Sequence, residues 1–169
     1  DTTMLASEYN ARFSEMATRY ALQTKNYKSK DEDQQRMLDQ LQKVLTVPAP
    51  DEPKKNSELA TLTSELESMY VSGKVCKTKE QCQDLGDLEK IIAKSRDPKD
   101  LLKAWEGWRT VAVPMKEKYI RTVEIGNAGA KDLGFKNMAD LWRSKYDMPA
   151  EDFEKELDRL WSEVQPFYE

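Results

Sequence analysis

The residues able to do chemistry in this sequence are few, and one kind is missing altogether. None of the 169 residues is histidine, the side chain most used as a general base and zinc ligand. There are two cysteines, Cys76 and Cys82, with five residues between them in the lysine-rich stretch VCKTKEQC. Two thiolates without histidine or further cysteine do not complete a zinc shell. The pair is either a disulfide closing a small loop or two free thiols. The disulfide is the expectation; on the chain-entropy model it contributes roughly 2 kcal/mol, and it implies an oxidising compartment. The remaining cluster is aromatic and basic. LLKAWEGWRTVAVP, residues 101–114, sets Trp105 and Trp108 three apart, with Glu106, Gly107 and Arg109 around them. Glu106 and Arg109 can pair along one side of a helix, and Arg109 can stack on a tryptophan ring. By periodicity alone both tryptophans belong to a buried helix face, because helical aromatic stripes are usually core.

The elements that must carry these residues are helical almost throughout. Leu5, Tyr9, Phe13, Met16 and Tyr20 recur at helical spacing, as do Met37, Leu38, Leu41, Val44 and Leu45, and then Leu59, Leu62, Leu66, Met69 and Tyr70. VPAPDEPKKN interrupts the second and third stripes; its three prolines cannot continue a helix, so it reads as a linker or surface loop. In SRDPKDLLKAW, Asp97 is an N-cap, Pro98 takes the first helical position and Asp100 suits the positive end of the dipole. That helix shows Leu101, Trp105, Trp108, Ala112, Met115 and Tyr119 on one face, and Pro114 should kink it. Gly134 is a C-terminal stop, Asn137 caps a short helix, and Pro149 opens a last one with the stripe Phe153, Leu157, Leu160, Trp161, Val164 and Tyr168. The expectation is an all-α fold of six or seven mostly antiparallel helices with short loops and no strands. Its regions are N-terminal helices over 1–47, a proline-rich linker over 48–57, and a helical region with the cysteine loop over 58–169, together one incomplete domain.

A net charge of −4 lacks the basic footprint that nucleic acid requires. No apolar run approaches ~18 residues, so nothing here spans a membrane. The opening DTTMLASEYN has no signal-peptide pattern.

The order of motifs adds a resemblance. ESMYVSGKVC, then Cys82, then LEKIIAKSRDPKDLLKAWEGWR, then LGFKNMADLWRSKYDMPAEDFEKELDRLWSEVQPFYE is similar to the angiotensin-converting enzyme family, zinc peptidyl-dipeptidases of the gluzincin group. The similarity runs from about Leu38 to Glu169 and is densest at the cysteine loop, at Trp-Glu-Gly-Trp-Arg, and at LWRSKY with VQPFY. It implies a helical peptidase of two lobes that releases C-terminal dipeptides, with zinc held by His-Glu-x-x-His and a downstream glutamate. With no histidine, this chain carries none of that motif. The resemblance therefore implies a segment from the N-terminal half, with residues 1–47 lid-like, that does not cleave peptides alone. Zinc and chloride would belong to the full-length parent. Its partners would be peptide substrates and the C-terminal half, and its location secreted, extracellular or periplasmic. By the same resemblance Arg109 helps bind a buried chloride and Tyr146 a second one, while Glu67 lies near the pocket for residues upstream of the scissile bond. A buried guanidinium needs an anion or carboxylate to be tolerable, so Arg109 is expected to be buried. A pocket glutamate that some members carry after the second cysteine has no counterpart here; Gly86 falls near its place. The alternative is a non-catalytic secreted helical binding module whose surplus aromatic surface docks a partner.

Overall fold

The computed structural model describes residues 2–169; Asp1, with which the 1–47 region begins, lies outside the described residues. The fold is all-α. Its helices are α1 (Thr2–Thr24), α2 (Glu32–Gln42), α3 (Pro53–Val71), α4 (Leu85–Lys94), α5 (Pro98–Ala112), α6 (Lys116–Asp132), α7 (Met138–Arg143) and α8 (Ala150–Tyr168). A 3-10 turn, Val113–Met115, joins α5 to α6 at Pro114, where the missing N–H breaks the α-helical ladder.

Helix ends follow local chemistry. The Asp31, Asp97 and Asn137 side chains accept from backbone N–H groups two or three residues on, opening α2, α5 and α7. Asp84 and Asp87 form a reciprocal capping box at the start of α4. Gly134, at φ 99°, ends α6. There the Phe135 N–H reaches the Ala130 carbonyl and the Gly134 N–H the Lys131 carbonyl, each at 2.9 Å.

The expectation of no strands fails at the cysteine loop. β1 (Val75–Thr78) and β2 (Gln81–Gln83) form an antiparallel hairpin in which Cys76 lies opposite Cys82. The two cysteines are joined as a disulfide. Strands of three or four residues are too short to show alternation, and the cross-link holds the pairing together.

α3 is the hub, packing against α1, α5 and α6. Segment 48–57, expected as a linker or surface loop, divides in two. Pro48, Ala49 and Pro50 are buried, and Pro53 to Ser57 already belong to α3. Ala49 packs with Leu59 and Ile125 in one core cluster; Ala130, Met138 and Leu141 form a second, and Val47 touches both. The approach is close because α6 offers a glycine: a Cβ on Gly129 would lie 2.5 Å from the Pro48 carbonyl oxygen.

α1 turns the unexpected face inward. Ala17, Thr18 and Ala21 are buried, whereas Leu5, Tyr9, Phe13, Met16 and Tyr20 are exposed, Tyr9 at 77%. Small residues let α1 lie close along α3, and the Ser14 hydroxyl donates to the Asn56 side-chain oxygen at 2.9 Å. The α8 stripe is likewise open at Leu157, Leu160, Trp161 and Val164, for α8 packs mainly on α7.

Ion pairs fasten α3 to α6. The Arg121 guanidinium donates to both Glu58 carboxylate oxygens, at 2.6 and 3.2 Å, and to Glu124 at 2.9 Å. Lys118 meets Glu65 at 2.7 Å. Hydrogen bonds from Arg121 and Lys55 pull the Glu58 pKa from 4.5 down to about 2. Because folding lowers this pKa, ionised Glu58 favours the folded state above the unfolded value; that contribution fades as pH falls from 4.5 and is gone below about 2. In urea melts, the gap in stability between the wild type and Glu58→Gln should be constant at neutral pH and close across this acid range. A gap that persists unchanged to the acid end would show that the pair does not hold α3 to α6.

Candidate functional site

Trp-Glu-Gly-Trp-Arg occupies the second half of α5, beside the disulfide hairpin. Its glycine has a packing reason: a Cβ on Gly107 would stand 2.9 Å from Val75 Cγ1, so glycine lets β1 seat against the helix. Trp108 is half-buried and meets Tyr70 of α3 edge to face, with ring centroids 5.4 Å apart. Trp105, expected on the buried face, is 52% exposed. Ala104 is the α5 residue that is fully buried, because α4 packs on that side of the helix.

Arg109 is exposed, not buried as expected. Its Nη1 donates to the Trp105 carbonyl at 2.6 Å, and its guanidinium lies over the Trp105 ring, 3.0 Å from the centroid. This is the tryptophan stacking that the spacing allows. The carbonyl one turn back takes the guanidinium away from Glu106, and no ion pair forms between the two. Arg109 makes no second hydrogen bond among the described residues, which leaves the rest of its N–H fork free to meet an anion. Arg109 and Trp108 line a cavity of about 590 Å³ together with Tyr70, Met115, Tyr119 and Ile120. It is aromatic and apolar, with the cations Arg109 and Lys116 at its edge.

Tyr146 stands apart from this cavity. It lies between α7 and α8, its N–H donates to the Arg143 carbonyl at 3.1 Å, and its ring stacks on Phe153 at 4.2 Å. It lines a different pocket, with Asp140, Ser144 and Pro149. Glu67 is exposed on α3 next to buried Leu66, and its carboxylate makes no hydrogen bond among the described residues. The structure thus brings Arg109 together with Tyr70 and Trp108, and does not bring Tyr146 or Glu67 to them. Tyr70 was visible in the α3 stripe as an apolar residue, though nothing local marked it as the partner of Trp108. Arg121 carries no local signal in the sequence, since its carboxylate partner lies 63 positions away.

Zinc does not fit here. Among the described residues no three His, Cys, Asp or Glu side chains group closely enough to hold a metal ion, and both cysteines are in the disulfide. No helix of the described residues is long and apolar enough to cross a membrane.

Comparison with known proteins agrees with the motif order. The chain is 37% identical over 143 residues to an angiotensin-converting enzyme-like protein of Mus musculus, covering 82% of this chain and 18% of that protein. It is 37% identical over 118 residues to the angiotensin-converting enzyme of Theromyzon tessulatum, covering 66% of this chain and 19% of that one. With the angiotensin-converting enzyme of Oryctolagus cuniculus it shares 37% identity over 119 residues, 68% of this chain and 9% of the relative. The chain therefore spans less than a fifth of the length of these curated relatives. The family profile described as angiotensin-converting enzyme matches residues 1–169, and the chain belongs to that family.

Proposed function

We propose that this chain is the N-terminal segment of a zinc-dependent peptidyl-dipeptidase, a secreted enzyme that releases C-terminal dipeptides from peptides. The helices of residues 1–47 would form its lid side and the rest one wall of its cleft. Zinc and its ligands would come from the remainder of the polypeptide, because the residues here do not fit the metal. Arg109 and Tyr146 would each contribute to a chloride site, and Glu67 to the substrate pocket. The observation that carries this reading is the combination of a family match over the whole chain with apolar helix faces that nothing here covers. Uncovered faces on α1, α5 and α8 are what a wall of a larger helical enzyme presents when taken by itself.

The chloride role of Arg109 is part of this proposal. Its guanidinium lies on the Trp105 ring, is exposed, and has one N–H group engaged by the Trp105 carbonyl. Burial of that fork by a second lobe would demand an anion.

The test is activity of the full-length protein against that of residues 1–169. The full-length protein should release dipeptides from the C-termini of peptides, lose this with a chelator and regain it with zinc, while the 169-residue chain stays inactive with or without added zinc. In the full-length protein, Arg109→Ala should reduce the chloride dependence of cleavage more than zinc retention. Metal-dependent turnover by the 169-residue chain after repeated purification would overturn the assignment. The second reading, a helical binding module without chemistry, is favoured by the aromatic exposure at Tyr9, Trp105 and Trp161. A full-length protein lacking the zinc motif would establish it instead.

A further inference from the structure

A cavity of about 810 Å³ opens between the disulfide hairpin, α4 and α5, and it shares no lining residue with the Arg109 cavity. Its floor is apolar, made by Val75, Leu88, Ile91 and Ala104; Leu88 and Ala104 are buried. Its rim is cationic: Lys77, Lys90, Lys94 and Lys103 face one carboxylate, Asp100. Lys90 is paired with Asp87 at 3.3 Å, and the other three lysines form no ion pair among the described residues. The whole chain carries a net charge of −4, so this positive excess is local.

We propose that this groove docks an acidic peptide segment that carries an apolar anchor residue. The rim and the floor each select one part of that ligand. Lysine ammoniums are point charges on flexible stems that suit carboxylates scattered along a segment, and the planar fork of arginine, which grips a single carboxylate or phosphate at two points, is absent from the groove lining. The apolar floor calls for an aliphatic or aromatic side chain, which a sulfated glycan does not offer. The walls are fixed before the ligand arrives. The disulfide pins the hairpin, Gly107 lets Val75 press on α5, and Gln83 stands opposite Val75 in the strand register, on the groove side. Such preorganisation lowers the ordering cost of binding. The proposal does not depend on the peptidase reading, because neither the residues given a chloride role there nor the one given a substrate-pocket role lines the groove.

Fluorescence anisotropy on the full-length protein tests it, with a labelled peptide of alternating glutamate and leucine as probe. The peptide is C-terminally amidated, so that a dipeptide-releasing cleft finds no terminal carboxylate. The probe should bind, weaken as salt is raised, and lose about tenfold or more in affinity when Lys77, Lys94 and Lys103 are all changed to Glu. These lysines are exposed, so the triple variant should keep the wild-type circular dichroism spectrum. A peptide with lysine in place of glutamate should not bind. The proposal is overturned if the acidic peptide fails to bind, if the triple variant binds it as well as the wild type, or if the lysine peptide binds equally. A heparin oligosaccharide or laurate that binds this groove where the acidic peptide does not would also overturn it, in favour of a glycan or a lipid.

Discussion

Leu141→Ala should lower stability by about 3 kcal/mol, within the roughly 2–5 kcal/mol range for large-to-small changes at buried leucines. Leu141 has no exposed surface and packs with Ala130 and Met138, with Val47, Val123 and Phe135 around them. That cluster ties α7 to α6 and to the buried segment before α3. Next to it, Trp142 Nε1 donates to the Thr46 carbonyl at 2.6 Å, which restricts how far α7 can settle into the space left behind. In a chain of this size the melting temperature should fall by about 6–12 °C. Leu141→Met, which conserves volume, should cost under about 1.5 kcal/mol. Equal melting of the alanine variant and the wild type would mean that α7 is not seated on α6.

Gly129→Ala should destabilise the fold although it improves helix propensity. Alanine in place of glycine inside a helix gains about 1 kcal/mol. Against this, the new Cβ would meet the Pro48 carbonyl oxygen at 2.5 Å and the carbonyl carbons of Pro48 and Ala49 at 2.6 Å. All three are backbone atoms of a buried segment and cannot swing aside as a side chain would. Overpacking costs about 1–3 kcal/mol and sometimes more; with three backbone clashes the upper end applies, for a net loss of about 2 kcal/mol. The matched control is Gly86→Ala in α4, whose Cβ would meet only Asp84 Oδ1 at 3.4 Å. That variant should melt at or slightly above the wild type. If Gly129→Ala behaved like the control, residues 48–50 would not press on α6.

Local chemistry made much of this fold readable. Asp97 with Pro98, Asn137, Gly134 and Pro114 each act within one turn of their own position, and each does in the structure what its residue type dictates. The disulfide was expected from spacing within one short loop. What failed depends on partners. On α1, two faces share the helical period: an aromatic one at Tyr9, Phe13 and Tyr20, and a small-residue one at Ala17, Thr18 and Ala21. Apolar size points to the first as core. The close approach of α3 selects the second, and no property of α1 alone records that choice. Arg109 is similar. Its stacking on Trp105 is an i, i+4 matter and was legible, whereas its burial requires an element that does not pack on that face of α5. Glu58 and Arg121 are distant in sequence, and only the packing of α3 on α6 makes them a pair.

The place of α3 at the centre of the fold has a consequence in time. Its early partner, α1, is synthesised before it, but α6 is completed about 60 residues later, which at about 5–20 residues per second means a delay of about 3–12 s. An α1–α3 pair formed in that interval would have one side of α3 bare. Glu58 and Glu65 lie on that side. Unpaired, they keep it hydrated; once Arg121 and Lys118 arrive, the same carboxylates become the latch. A ribosome-bound chain halted before Lys116 should therefore already protect α1 and α3 from protease, and stay free of the aggregation that a bare Leu59 and Leu66 would otherwise invite.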